Sequence, residues 1–264
     1  MNMCVLRNYG FITISLLVFL SLSCASSGET IDDRTVAKKN IDVPATLKKA
    51  DELFRQREDI SKLREALKTL NDARNADQRN YEVEWTYAKY CYFLGKQSDS
   101  EKEVETALKN GEKAGLIATR MEPGKPEGFF WFAANLGEEA RLSPMTVGLK
   151  RVDEIRDAMK KVIEIKPDYQ GASAYDALAR VELESGLVGG KTQKAIDYLE
   201  KGLELEKNNS NIRLNLAKAY LRVDRNSEAK TQLEYVVNMD PDREYKLEYL
   251  ENRNEAKRLL ESRF

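Results

Sequence analysis

The densest chemical signal in this chain is Ser185-Gly186-Leu187-Val188-Gly189-Gly190-Lys191-Thr192, which ends in the Gly-Lys-Thr of a phosphate-cradling loop. Such a loop needs glycine where Ser185 stands and a buried strand before it, whereas the preceding run ALARVELE has helical spacing. Gly186 therefore reads as a helix C-terminal glycine, and Gly189-Gly190 as the turn into the next helix. A second candidate chemistry lies in Arg180, Lys218 and Arg222, at helical spacing on successive units. Either they receive the carboxylate end of a bound peptide or they are solvated charge. A third is aromatic. Tyr81, Trp85, Tyr87, Tyr90, Tyr92 and Phe93 crowd one helix, and Phe129, Phe130, Trp131 and Phe132 crowd another. At ~100° per residue the latter four cover about 300° of a helix, more than one buried stripe uses. Either they are all core, or Tyr90, Phe93, Trp131, Phe132 and Asn135 line a concave apolar site in which the Asn135 amide orients the occupant.

Other chemistries are excluded by composition. The 264 residues contain no histidine, which removes Ser-His-Asp and Cys-His nucleophiles and every His-containing metal site. Glu138-Glu139 and Asp240/Asp242 lack the setting of a catalytic pair or a calcium loop, and Asp240-Pro241-Asp242 reads as a turn. With no nucleophile–base pair and no metal cluster, the expectation is a non-enzyme without a cofactor. Forty-three Lys+Arg balance 44 Asp+Glu, so bulk charge supplies no drive toward nucleic acid.

The first segment reads as an address. Arg7 precedes an apolar run, FITISLLVFLSL, that reaches about 18 Å as a helix, short of the roughly 30 Å needed to span hydrocarbon. Residues 1–23 fit a lipoprotein signal peptide, with a simple secretory signal or an uncleaved anchor as the alternatives. The run closes on Leu20-Ser21-Leu22-Ser23-Cys24, which resembles a bacterial lipobox with Ser21 in the place where Leu is commonest. Cys24 would then carry lipid in the membrane, and residues 24–46 would form a tether reaching on the order of 25 Å. Ala25 in place of Asp points to the outer membrane, with the body facing the periplasm. Cys4 leaves with the signal, so Cys91 is the remaining thiol, a small hydrophobe in YAKYCYFLG.

Residues 47–264 must position whatever site exists, and they repeat. In the clearest unit Leu216, Ala217 and Tyr220 mark a first helix, Ala229, Leu233 and Val236 a second, and Pro241 closes it. Before it come Tyr175, Leu178 and Ala179 with Ala195, Leu199 and Gly202, and Ala195 to Ala229 is 34 residues. These offsets resemble the tetratricopeptide repeat, with small residues where helices cross closely. The pattern predicts an all-α solenoid of five degenerate helix pairs and a closing helix from Tyr245 to Ser262.

The irregular segments YAKYCYFLG (87–95), GFFWFAANLGEEA (128–140) and LVGGKTQKAIDYLEKGLEL (187–205), in that order, resemble the TatT family. These are tetratricopeptide-repeat lipoproteins associated with tripartite ATP-independent periplasmic (TRAP) transporters. The resemblance implies a protein, monomeric or homo-oligomeric, that docks the transporter's solute-binding protein and helps deliver a small, apolar ligand. A eukaryotic family of microtubule-dynamics regulators carries similar Trp-containing and Gly-Gly segments, and the signal sequence argues against that cytosolic version. The alternative function is a general tetratricopeptide scaffold that assembles proteins in the cell envelope.

Overall fold

The computed structural model describes residues 41–264 apart from 185–190 and 241–244, all within one unit of the chain. The signal segment, Cys24, the Gly-rich turn at 186–190 and Pro241-Asp242 lie outside the described residues. Every long element described is an α-helix. The helices α1 (Val43–Phe54) and α2 (Ile60–Ala73), α3 (Tyr81–Gln97) and α4 (Glu101–Met121), α5 (Pro126–Leu142) and α6 (Leu149–Ile165), α7 (Tyr169–Glu184) and α8 (Thr192–Leu205), and α9 (Ser210–Leu221) and α10 (Asn226–Asn238) pack as consecutive pairs. A closing helix, α11 (Lys246–Arg263), packs on α9 and α10. The five pairs and the closing helix are those the repeat pattern predicts.

Local sequence explains where the helices begin. Asn80, Ser100 and Asn209 each accept a backbone N–H from the first turn of α3, α4 and α9, satisfying donors that the helix itself leaves free. The first helix starts at Val43 rather than at residue 47, inside the stretch read as tether. Asp42 accepts from the Ala45 N–H at 3.1 Å, and Pro44 sits in the first turn, where its missing N–H costs nothing. Polar residues before the first apolar stripe concealed that start.

Small residues set the crossings. Ala195, Ala217 and Ala229 are completely buried. At the α4–α5 crossing a side chain on Gly115 would stand 2.6 Å from the Phe132 backbone, and one on Gly128 would stand 2.7 Å from the Thr119 nitrogen. The backbones touch there, and only hydrogen fits. Two buried carboxylates brace the neighbouring joints. Glu84, 1% exposed, accepts from Arg74 and Arg79, fastening the α2–α3 loop to α3. Glu182 accepts from Arg156 of α6 and Lys194 of α8, joining three helices.

The start of α7 departs from the regular pattern. Gln170, Gly171 and Ala172 take positive φ of 52°, 61° and 59°, a left-handed turn that costs non-glycine residues about 1–2 kcal/mol each. Asn209 donates to the Gly171 carbonyl at 2.7 Å, and the Tyr245 hydroxyl donates to Gln170 Oε1 at 2.8 Å, so α9 and the approach to α11 hold the turn in place.

Candidate functional site

Helices α3, α5, α7 and α11 share one cavity of about 2100 Å³. Three first helices, α3, α5 and α7, present faces to it, joined by α6 and the start of α9. Tyr92 and Phe93 of α3, Phe130 and Trp131 of α5, and Val152 and Ile155 of α6 make an apolar wall. Its aromatics hold one another: Phe93 and Trp131 lie with ring centroids 6.0 Å apart, and Trp131 meets Phe130 edge to face at 4.9 Å. The Trp131 indole N–H donates to the Tyr169 hydroxyl at 3.2 Å, which fixes the ring orientation.

The rest of the lining is charged. Asp176 accepts from Asn215 at 2.7 Å, and burial pushes its carboxyl above the usual range while the Arg180 guanidinium opposes the shift. Burial would raise the Glu138 carboxyl too, but the hydrogen bond from Arg141 and the charges of Lys96 and Arg180 hold it below its ordinary value. Arg180 Nε stands 3.6 Å from Glu184, and Arg222 donates to the Leu183 carbonyl at 2.9 Å. Acids and bases alternate along this part of the lining, so it favours neither sign strongly. An apolar patch beside alternating charge suits a polypeptide segment or an amphipathic molecule.

The sequence-predicted residues divide. Phe93, Trp131, Arg180 and Arg222 line the cavity. Tyr90 does not, because it stacks on Phe54 of α1 with ring centroids 4.2 Å apart. The expectation that Phe132 and Asn135 face a concave site does not hold. Phe132 is turned toward Gly115 of α4, and Asn135 is fully buried among α3, α4 and α5. Its Nδ2 donates to the Ala88 carbonyl at 3.0 Å and to the Trp131 carbonyl at 2.7 Å. Its Oδ1 rests against Gly111, where an added Cβ would meet it at 2.2 Å. Asn135 is a fastener between helices. Lys218 pairs with Glu255 of α11 at 3.4 Å and does not line the cavity, although its charge reaches Asp176.

Sequence reasoning missed Asp176, although its place four residues before Arg180 on one helix face was legible. It also missed Arg57, between α1 and α2, which contacts Glu248 of α11 at 3.4 Å across 191 residues of chain. Nothing local signals that contact. Among the described residues no cluster of three His, Cys, Asp or Glu side chains is placed to hold a metal ion, and no helix is long and apolar enough to cross a membrane.

Comparison with known proteins agrees with this architecture. A family model described as Regulator of microtubule dynamics protein 1-3 matches residues 46–175, which run from α1 into the start of α7. A tetratricopeptide-repeat model matches residues 189–247. No curated protein matches the sequence. Among solved structures, a thermophilic TPR protein of Thermus thermophilus superposes with a TM-score of 0.59 at 18% identity, covering 79% of this chain and 97% of its own. Yeast Tom70 gives 0.50 at 19% identity, covering 83% of this chain and 40% of Tom70, so the chain spans less than half of that protein. The helix pairs, their small-residue crossings and these matches together make the described body a tetratricopeptide-type solenoid.

Proposed function

We propose that this protein is a non-enzymatic docking module whose inner cavity receives part of another protein. The observation that carries the reading is the cavity itself, about 2100 Å³ with an aromatic wall beside alternating charge. That volume exceeds the ~300–1,000 Å³ of an ordinary small-molecule pocket. The finer reading follows the resemblance to TatT lipoproteins: anchored through Cys24 at the outer membrane, the module docks the solute-binding protein of a TRAP transporter and helps pass on an apolar ligand. The ordered YAKYCYFLG, GFFWFAANLGEEA and LVGGKTQKAIDYLEKGLEL segments and the lipobox-like Leu20–Cys24 support it.

A second reading, attachment to microtubules, is favoured by the family model over residues 46–175. One titration separates the two. The full chain is titrated calorimetrically with a TRAP solute-binding protein from the same cell and, separately, tested for co-sedimentation with microtubules. Saturable binding of the solute-binding protein that is lost in Ala177→Trp, which fills the cavity, is the expected result. Co-sedimentation with microtubules and no heat with the solute-binding protein would overturn the transporter reading. Binding untouched by Ala177→Trp, in a variant with unchanged melting, would move the docking site elsewhere.

A further inference from the structure

Residues far apart in the chain meet at the edge of the cavity. Arg57 and Glu248 both line it, and Arg57 Nη2 lies 3.4 Å from each Glu248 carboxylate oxygen. Arg57 is packed on aromatic rings. Its guanidinium lies 4.7 Å from the Phe54 ring centroid and 5.1 Å from that of Phe93, and its side chain is 8% exposed. Its partner Glu248, on α11, is the more exposed of the two.

That helix is held in two different ways. Its second half is packed into an apolar cluster, with Ala256 buried against Leu214, Ala217, Leu233 and Val236. Its first half is anchored by Tyr249, buried and donating to the Met239 carbonyl at 2.7 Å, while the edge that borders the cavity makes polar contacts: Glu248 to Arg57, Asn252 to the Ser210 hydroxyl at 2.9 Å, and Tyr245, just before the helix, to Gln170. Polar contacts at a wetted edge break at far lower cost than apolar packing. The Tyr245 contact also clasps the left-handed turn at Gln170–Ala172, a strained element in the cavity wall whose release favours rearrangement.

We propose that the cavity-lining edge of α11 is a gate, latched to the first helix pair by the Arg57–Glu248 ion pair, and that opening the latch lets α11 tilt as one helix and widens the cavity for the docked segment. The inference rests on the cavity being the docking site. Glu248 is 24% exposed, so dissolved salt screens the latch, and ionic strength tunes the gate.

The test reads access to the cavity directly and needs no partner. A cysteine is placed at Ala177, which lines the cavity, or at Lys201, an exposed position on α8 away from it, in the full chain. Reaction of each with a bulky maleimide is followed by peptide mass spectrometry. The backgrounds are wild type, Glu248→Gln and Arg57→Met, the last keeping an apolar stem on Phe54 and Phe93. Labelling at 177 should be about fivefold faster in both latch variants, the span of an ion pair of this exposure. Added salt should speed wild type and leave the variants unchanged. Labelling at 201 should be the same in all backgrounds, and buried Cys91 should stay unlabelled, which separates opening from unfolding. Equal rates at 177 in all backgrounds would overturn the gate. Loss of binding in the calorimetric titration, with the rates as expected, would instead overturn the docking reading.

Discussion

Replacing Gly115 by alanine tests the fold at its tightest point. The new Cβ would lie 2.6 Å from both the Cα and the nitrogen of Phe132, and 2.9 Å from its Cβ. Carbon contacts settle near about 3.5–4.0 Å, so α4 and α5 have to separate by roughly 1 Å. The obstacle is backbone, which cannot turn aside as a side-chain tip does. Overpacking of this kind costs about 1–3 kcal/mol. Alanine returns about 1 kcal/mol of helix propensity, leaving a net loss of up to about 2 kcal/mol. Gly137 is the matched control, because a Cβ there meets nothing within 4 Å. Gly137→Ala should collect the propensity gain alone and stabilise by about 0.5–1 kcal/mol. The assay is guanidinium unfolding of the full chain followed by helical circular dichroism, read as the shift in midpoint. The two variants should shift in opposite directions. A Gly115→Ala protein as stable as Gly137→Ala would refute the α4–α5 contact, and with it the placing of Phe132 and Asn135 outside the cavity.

Three further outcomes follow from the described contacts. Glu84→Ala should lower stability by about 2 kcal/mol in the same unfolding assay, because it deprives Arg74 and Arg79 of a buried carboxylate; a shift below about 0.5 kcal/mol would contradict that brace. Hydrogen bonds from Arg64 and Ser98 hold the Glu103 carboxyl down at about 2, so the stability it lends is full above the ordinary carboxylate range and is lost as pH falls toward about 2. Glu103→Gln should therefore show a smaller drop in melting temperature between about pH 5 and pH 3 than wild type; parallel curves would refute the linkage. Burial pushes the Cys91 thiol up to about 12, so at neutral pH its peptide should remain unmodified by iodoacetamide until the chain unfolds, and labelling of the native protein within minutes would show that the α3 core opens locally.

The helix pairs were legible because their crossings leave a mark on residue size. Ala195 and Ala229 stand one repeat apart, and both are fully buried where helices meet. The aromatic surplus was legible too, but its destination was not. Phe129 to Phe132 cannot share one stripe, and the expectation sent Phe132 to the concave side. In the structure α5 is enclosed by several neighbours at once: Phe130 meets Tyr169, Trp131 meets Phe93, and Phe132 turns to Gly115. The glycines at 111 and 115 of α4 were the available signal, since two small residues one turn apart announce a helix pressed against that face. The Arg57–Glu248 contact had no such signal. It depends on how much each pair rotates on the next, and side-chain periodicity within a helix carries no record of that angle.

The docking claim is tested most directly by photocrosslinking in living cells. A photoreactive amino acid is placed at Ala177, inside the cavity, or at Lys201, on α8 away from it, and the captured proteins are identified by mass spectrometry. The account predicts a discrete adduct from position 177, containing a TRAP solute-binding protein, and none of it from position 201. An adduct with that protein from 201 and nothing from 177 would place docking on the outer face and contradict the account.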